Sequence, residues 1–135
     1  MPRPLTWVVL GCVWLWLGCQ AEQVPQAPLR PAKEATLSDV SVPEGFSADR
    51  QSSWLYADEK MRLAHLSYRG APAIEPTVRF FLDHMAMQNW KLSHQTENFG
   101  YTSLVFTKGV ELCTITVYRS LGTTYVTVHL TRQTR

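Results

Sequence analysis

Three consecutive segments of the chain alternate in character with a period of two, and this restricts the fold more than any other feature. Leu104 and Phe106 alternate with Ser103, Val105 and Thr107. Cys113, Ile115 and Val117 alternate with Leu112, Thr114, Thr116 and Tyr118, and Val126, Val128 and Leu130 with Tyr125, Thr127, His129 and Thr131. Successive side chains of a strand point to opposite faces, so each segment is a strand with one apolar face and one Thr- and Tyr-rich face. The connections are turn signals: Asn98-Phe99-Gly100, Lys108-Gly109 and Ser120-Leu121-Gly122. Loops this short join antiparallel neighbours. Such a sheet needs cover on its apolar face and tolerates water on the other.

The cover comes from Ile74 to Gln88. Ile74, Val78, Phe81, Leu82 and Met85 form one stripe at helical spacing, with Arg79, Asp83 and Gln88 away from it. Pro76 suits a first turn, and Asn89 takes the left-handed conformation that ends a helix. Trp54 to Tyr56 and Met61 to Tyr68 read as strands before the helix, with a turn at Asp58-Glu59-Lys60; Trp90 to Glu97 reads as a strand after it. The expected order is β-β-α-β-β-β-β, an α+β domain of two layers with one helix packed on an antiparallel sheet.

At the N-terminus, Met1 and Arg3 carry positive charge ahead of an uncharged run from Leu5 to Leu17. As a helix that run would span about 20 Å, too short for a bilayer core of about 30 Å but right for a signal-peptide apolar region. It ends at Leu17-Gly18-Cys19. A small residue before a cysteine at that place resembles the lipobox of bacterial lipoproteins. The resemblance implies cleavage before Cys19, lipid on its thiol and an acylated new amine, so residues 1–18 are signal and the membrane is reached through a lipid anchor. Val9-Leu10-Gly11-Cys12 matches the box locally too, but leaves an apolar region of only six residues. An uncleaved anchor or a misread start remain alternatives; a buried helix is disfavoured because apolar residues cover every face of the run. Gln20, not Asp, follows Cys19, which in the Gram-negative sorting pattern implies the outer membrane, periplasmic face.

Residues 19–41 carry Pro25, Pro28 and Pro31 and no aromatic residue, which is linker composition. The globular domain is expected over 42–135. Within it, Val42-Pro43-Glu44-Gly45-Phe46, Phe80-Phe81 with Met85 and Asn89-Trp90, Leu104-Val105-Phe106 with Lys108, and Cys113-Thr114-Ile115-Thr116-Val117 resemble a mostly uncharacterised family of small bacterial lipoproteins. The order of elements is also similar to the helix-grip domains of BamC-type lipoproteins, a likeness of architecture that transfers no partner.

A net charge of +2 excludes a strongly electrostatic nucleic-acid binder. With Cys12 removed and Cys19 lipidated, Cys113 has no partner for a disulfide, and its parity with Ile115 and Val117 points it into the core. His65, His84, His94 and His129 form no HxH or HxxxH pair, so no metal site is expected and no cofactor is implied. No GxSxG, HExxH or phosphate loop is present, and no catalytic residue is assigned. The candidate partner-binding face is the polar side of the sheet: Tyr101, Tyr118, Tyr125, Thr127 and His129. Trp54, Tyr56 and Phe99 belong to the same aromatic set, because Tyr and Trp dominate protein interfaces. The expected function is a non-catalytic, membrane-anchored envelope lipoprotein that serves an envelope protein as accessory or adaptor. The alternative is a lipid or small-molecule binding module with a pocket lined by Phe80, Phe81, Met85, Met87 and Trp90.

Overall fold

The computed structural model describes residues 27–133, so the signal segment, Cys12 and Cys19 lie outside the described residues. The strands are β1 (Phe46–Ala48), β2 (Trp54–Ala57), β3 (Arg62–Gly70), β4 (Lys91–Asn98), β5 (Tyr101–Lys108), β6 (Glu111–Ser120) and β7 (Thr123–Arg132), with helix α1 (Ile74–Met87) between β3 and β4. They form one antiparallel sheet in the order β1-β3-β7-β6-β5-β4, with β2 also paired to β3. The fold is α+β. The order differs from expectation by the extra strand β1. Three residues carry no periodicity, and β1 exists because Phe46, Ser47 and Ala48 pair with Gly70, Arg69 and Tyr68. β1 and β2 thus share the outer edge of β3, one against each half.

Helix α1 packs over β4, β5 and β6. Its stripe delivers Val78, Phe81 and Met85 to a core completed by Ala64, Leu66, Tyr68, Leu104, Phe106, Cys113, Ile115, Val117, Val126, Val128 and Leu130. The parity expected for β5, β6 and β7 is therefore the parity observed. The helix ends in a Schellman motif: Asn89 has φ 65°, its N–H donates to the Ala86 carbonyl, and the Trp90 N–H donates to the Met85 carbonyl. Trp90, expected as the first residue of a strand, instead completes this cap and is buried beside Met85. The pocket-lining set offered by the sequence is mostly core: Phe80, Phe81, Met85 and Trp90 are buried, and Met87 faces solvent.

The expected linker ends earlier than residue 41. Leu29 packs against the core, Leu37 and Val40 are buried in it, and Pro31 bridges to Pro43. The physical reason is Asp39. Its carboxylate takes a bidentate pair from Arg62, at 2.8 Å on each oxygen, and a bond from Lys108 at 3.0 Å. Its carbonyl accepts the Trp90 indole N–H at 2.9 Å. Arg62 also donates twice to Glu111, both at 2.7 Å. One residue of the strap is therefore tied to β3, to the end of β5 and to the helix cap. Arg62 and Lys108 hold the Asp39 carboxyl at about 2, well below its usual value.

The three hairpins that follow the helix turn on two residues each. Lys108 pairs with Glu111, which shifts the middle turn to Gly109-Val110 from the expected Lys108-Gly109. Gly70 sits where chains crowd, because a Cβ there would collide with the Gly45 carbonyl and the Phe46 ring. A Gly70→Ala substitution is expected to cost about 2–3 kcal/mol as an overpacking strain. The check is a thermal melt, where a midpoint lowered by about 10 °C or more is expected.

Candidate functional site

The helix covers one face of the sheet, and no element among the described residues covers the other. Cross-strand register orders this open face into rows. One row runs Arg69, Tyr125, Tyr118, Tyr101, Asn98. The next is a hydroxyl row: Ser67, Thr127, Thr116, Ser103, Thr96. The third runs Trp54, His65, His129, Thr114, Val105, His94. Directly opposed residues lie about 5 Å apart and successive rows about 7 Å apart, so the face is a regular, rigid surface.

All five residues singled out for this face are on it. Tyr101, Tyr118 and Tyr125 stand side by side, with Thr127 one row away and His129 one row further. Tyr118 and Tyr125 stack at 5.1 Å between ring centroids with 14° between planes. They therefore support each other as well as facing solvent, and Tyr101 and Tyr118 remain 40% and 39% exposed. The lipidation residue, Cys19, lies outside the described residues.

His65 and His129 oppose each other with ring centroids 5.8 Å apart, and Trp54 stacks on His65. His94 belongs to the same row but three strands further on, beyond Thr114 and Val105. No acid joins the pair, and among the described residues no three of His, Cys, Asp and Glu are grouped as for a metal. This face is flat, not a cleft. The concave features flank it: an open groove of about 540 Å³ runs between α1 and the β4–β5 pair, lined by Ile74, Val78, Leu82, Glu97 and Thr102.

Two turn residues carry a further signal: Leu121, expected only as turn punctuation, and Phe99, expected in a turn and in the aromatic set. Phe99 and Leu121 are completely exposed at the tips of the β4–β5 and β6–β7 hairpins. Each occupies the first position of a two-residue turn, with φ 37° and 48°, before Gly100 and Gly122 at 86° and 79°. Both φ values positive make type I′ turns, where Asn, Asp or Gly is preferred and a bulky side chain is strained. The detectable signal was a large apolar residue where turn chemistry asks for Asn.

Cys113 is fully buried, and its thiol is pushed up to about 12, chiefly by burial and then by the negative Asp39. A thiolate at neutral pH is thereby suppressed. Native protein is expected to resist a thiol-reactive disulfide reagent at Cys113 and to label fully once denatured. Stoichiometric labelling of the folded protein within minutes would contradict this. Among the described residues no helix is long and apolar enough to cross a membrane. No protein-family model matches the chain, and no curated protein or solved structure matches it either.

Proposed function

We propose that the protein is a non-catalytic, lipid-anchored envelope protein whose open sheet face docks a protein partner, as an accessory or adaptor subunit. The anchor is Cys19, reached by cleavage after residue 18. In a host with two membranes the protein sits at the periplasmic face of the outer membrane. The architecture is a two-layer helix-on-sheet domain, in keeping with the resemblance to small bacterial lipoproteins. One observation carries the docking role: Tyr101, Tyr118, Tyr125, Thr127 and His129 lie in register on a rigid face that nothing among the described residues covers. Tyrosines on such a face offer large contact area at low entropic cost, and the hydroxyl row offers donors and acceptors without charge to desolvate. The non-catalytic part rests on the suppressed Cys113 thiol and on a histidine pair without an acid.

The test is photocrosslinking in the native host from a photoreactive residue replacing Thr127, with intact-mass analysis of the mature N-terminus. A recurrent envelope protein captured from Thr127, together with acylated Cys19, is the expected result. Absence of a specific adduct despite acylation overturns the docking role. An unmodified Cys19 overturns the anchor. The groove lined by Ile74, Val78 and Leu82 supports a second reading, a small apolar ligand. Saturable binding of an environment-sensitive fatty-acid probe, abolished by Val78→Asp, would favour it.

A further inference from the structure

The two strained hairpin tips, the row of tyrosines behind them and the shortness of the tether belong together. Phe99 and Leu121 protrude from neighbouring hairpins at the same end of the sheet, because Tyr101 pairs with Tyr118 and Tyr118 with Tyr125. The two hairpins are offset by two strand spacings, about 10 Å. Directly behind the tips stand Tyr101, Tyr118 and Tyr125, flanked by Arg69 on the open face and Arg119 beside Thr124. We infer that this end of the sheet is a lipid-docking surface, with Phe99 and Leu121 inserted at the headgroup boundary of the bilayer and the tyrosine row at the level of the headgroups.

Four observations favour a bilayer as the occupant. Both tips are large, wholly apolar side chains held fully in the solvent, where their exposure costs free energy. Type I′ geometry makes each a costly choice over Asn, so the apolar side chain is retained against the turn's own preference. An apolar point backed by tyrosines and arginines is the gradient that a membrane interface matches. The fourth observation is the tether, and it rests on the lipid anchor at Cys19 proposed above. Because the strap is folded from Leu29 onward, ten Cα steps separate Cys19 from Leu29, at most about 35 Å when fully extended. That is close to the length of ten-residue β7, about 34 Å. The domain is therefore held within about its own length of the bilayer, and weak insertion of two side chains suffices to orient it. Tip-down docking leaves the open sheet face standing upright, accessible to a partner in the same membrane.

The experiment uses the mature, lipidated protein in lipid-only vesicles containing brominated phospholipids. An environment-sensitive fluorophore is placed by Phe99→Cys, Leu121→Cys or Val110→Cys, the last in the β5–β6 hairpin at the opposite end of the sheet; buried Cys113 does not compete for label. Expected is bromolipid quenching at positions 99 and 121 at least fivefold greater than at 110. Equal quenching at the three positions, or none at 121, overturns the inference. Shielding of 121 in native membranes but not in lipid-only vesicles assigns the tips to a protein and overturns it equally. The double variant Phe99→Asn, Leu121→Asn separates docking from folding. It suits both turns better, so the melting midpoint is expected to hold or rise. In it, a label at Ser120→Cys is expected to lose at least fivefold of the quenching that it shows beside the native tips; unchanged quenching there overturns the inference. Acylation of Cys19, read by mass on the same sample, distinguishes a failure of the anchor from a failure of the tips.

Discussion

Phe81→Ala is expected to remove a large share of the protein's stability. Phe81 has no exposed surface, lies on the helix face that meets the sheet, and meets Phe80 edge-on at 5.5 Å. Removing a fully buried phenyl ring loses its transfer free energy and leaves a cavity, together about 3–5 kcal/mol. Single domains of this size are stable by about 5–15 kcal/mol, so the loss is a large share of the whole. A thermal melt followed by far-ultraviolet circular dichroism is expected to show a midpoint lower by about 15 °C or more. Phe81→Leu keeps most of the volume and is expected to cost about 1–2 kcal/mol. A loss below about 1 kcal/mol for the alanine variant would mean that the helix is not the cover of this core.

Arg62→Ala is the second large effect, and it acts through charge. Arg62 satisfies both Asp39 and Glu111, each a half-buried carboxylate, so its removal leaves Glu111 without its cation and Asp39 with Lys108 alone. Loss of one partner from a fully buried pair costs about 3–5 kcal/mol, and partial solvent access trims that to about 2–3 here. Trypsin is expected to cut the Arg62→Ala protein first in the strap, after Lys33. Asp39 adds a pH dependence whose sign is determined by its lowered carboxyl. A group with a folded-state value of about 2 against an ordinary 3.8 stabilises fully above that ordinary value. That contribution, about 1–2 kcal/mol after screening, fades as pH falls from about 5 to 2. Urea melts at pH 6 and pH 3 check it, with Asp39→Asn expected to flatten the difference.

The elements legible in the sequence are those whose evidence is local. β5, β6 and β7 alternate because one face is buried beneath the helix and the other is not, and α1 shows its stripe for the same reason. β1 was illegible because three residues become a strand only through β3. The strap was illegible for a related reason. Leu37 and Val40 are isolated apolar residues among prolines and alanines, and Asp39 is held by Arg62 and Lys108, which lie 23 and 69 positions away. The open face was legible as a composition, and its five chosen residues share it. Its rows were not legible, since they depend on register between strands as distant as β3 and β7. The tips Phe99 and Leu121 were visible as turn residues, but their exposure and strain required the backbone.

The place of β7 in the sheet has a consequence for how the chain reaches its native state. The last strand of the described residues is not at an edge; it lies between β3 and β6 and supplies Val126, Val128 and Leu130 to the core. A nascent chain that has synthesised everything up to Ser120 holds a β4–β6 meander and a detached β3 with no shared partner. The helix has its partners in the meander, but β3 stays undocked and both halves present open edges. Closure of the sheet therefore waits for β7, and then requires contacts across some sixty residues, the long-range kind that forms slowly. Until β7 is released, the two halves of such a sheet have no strand in common.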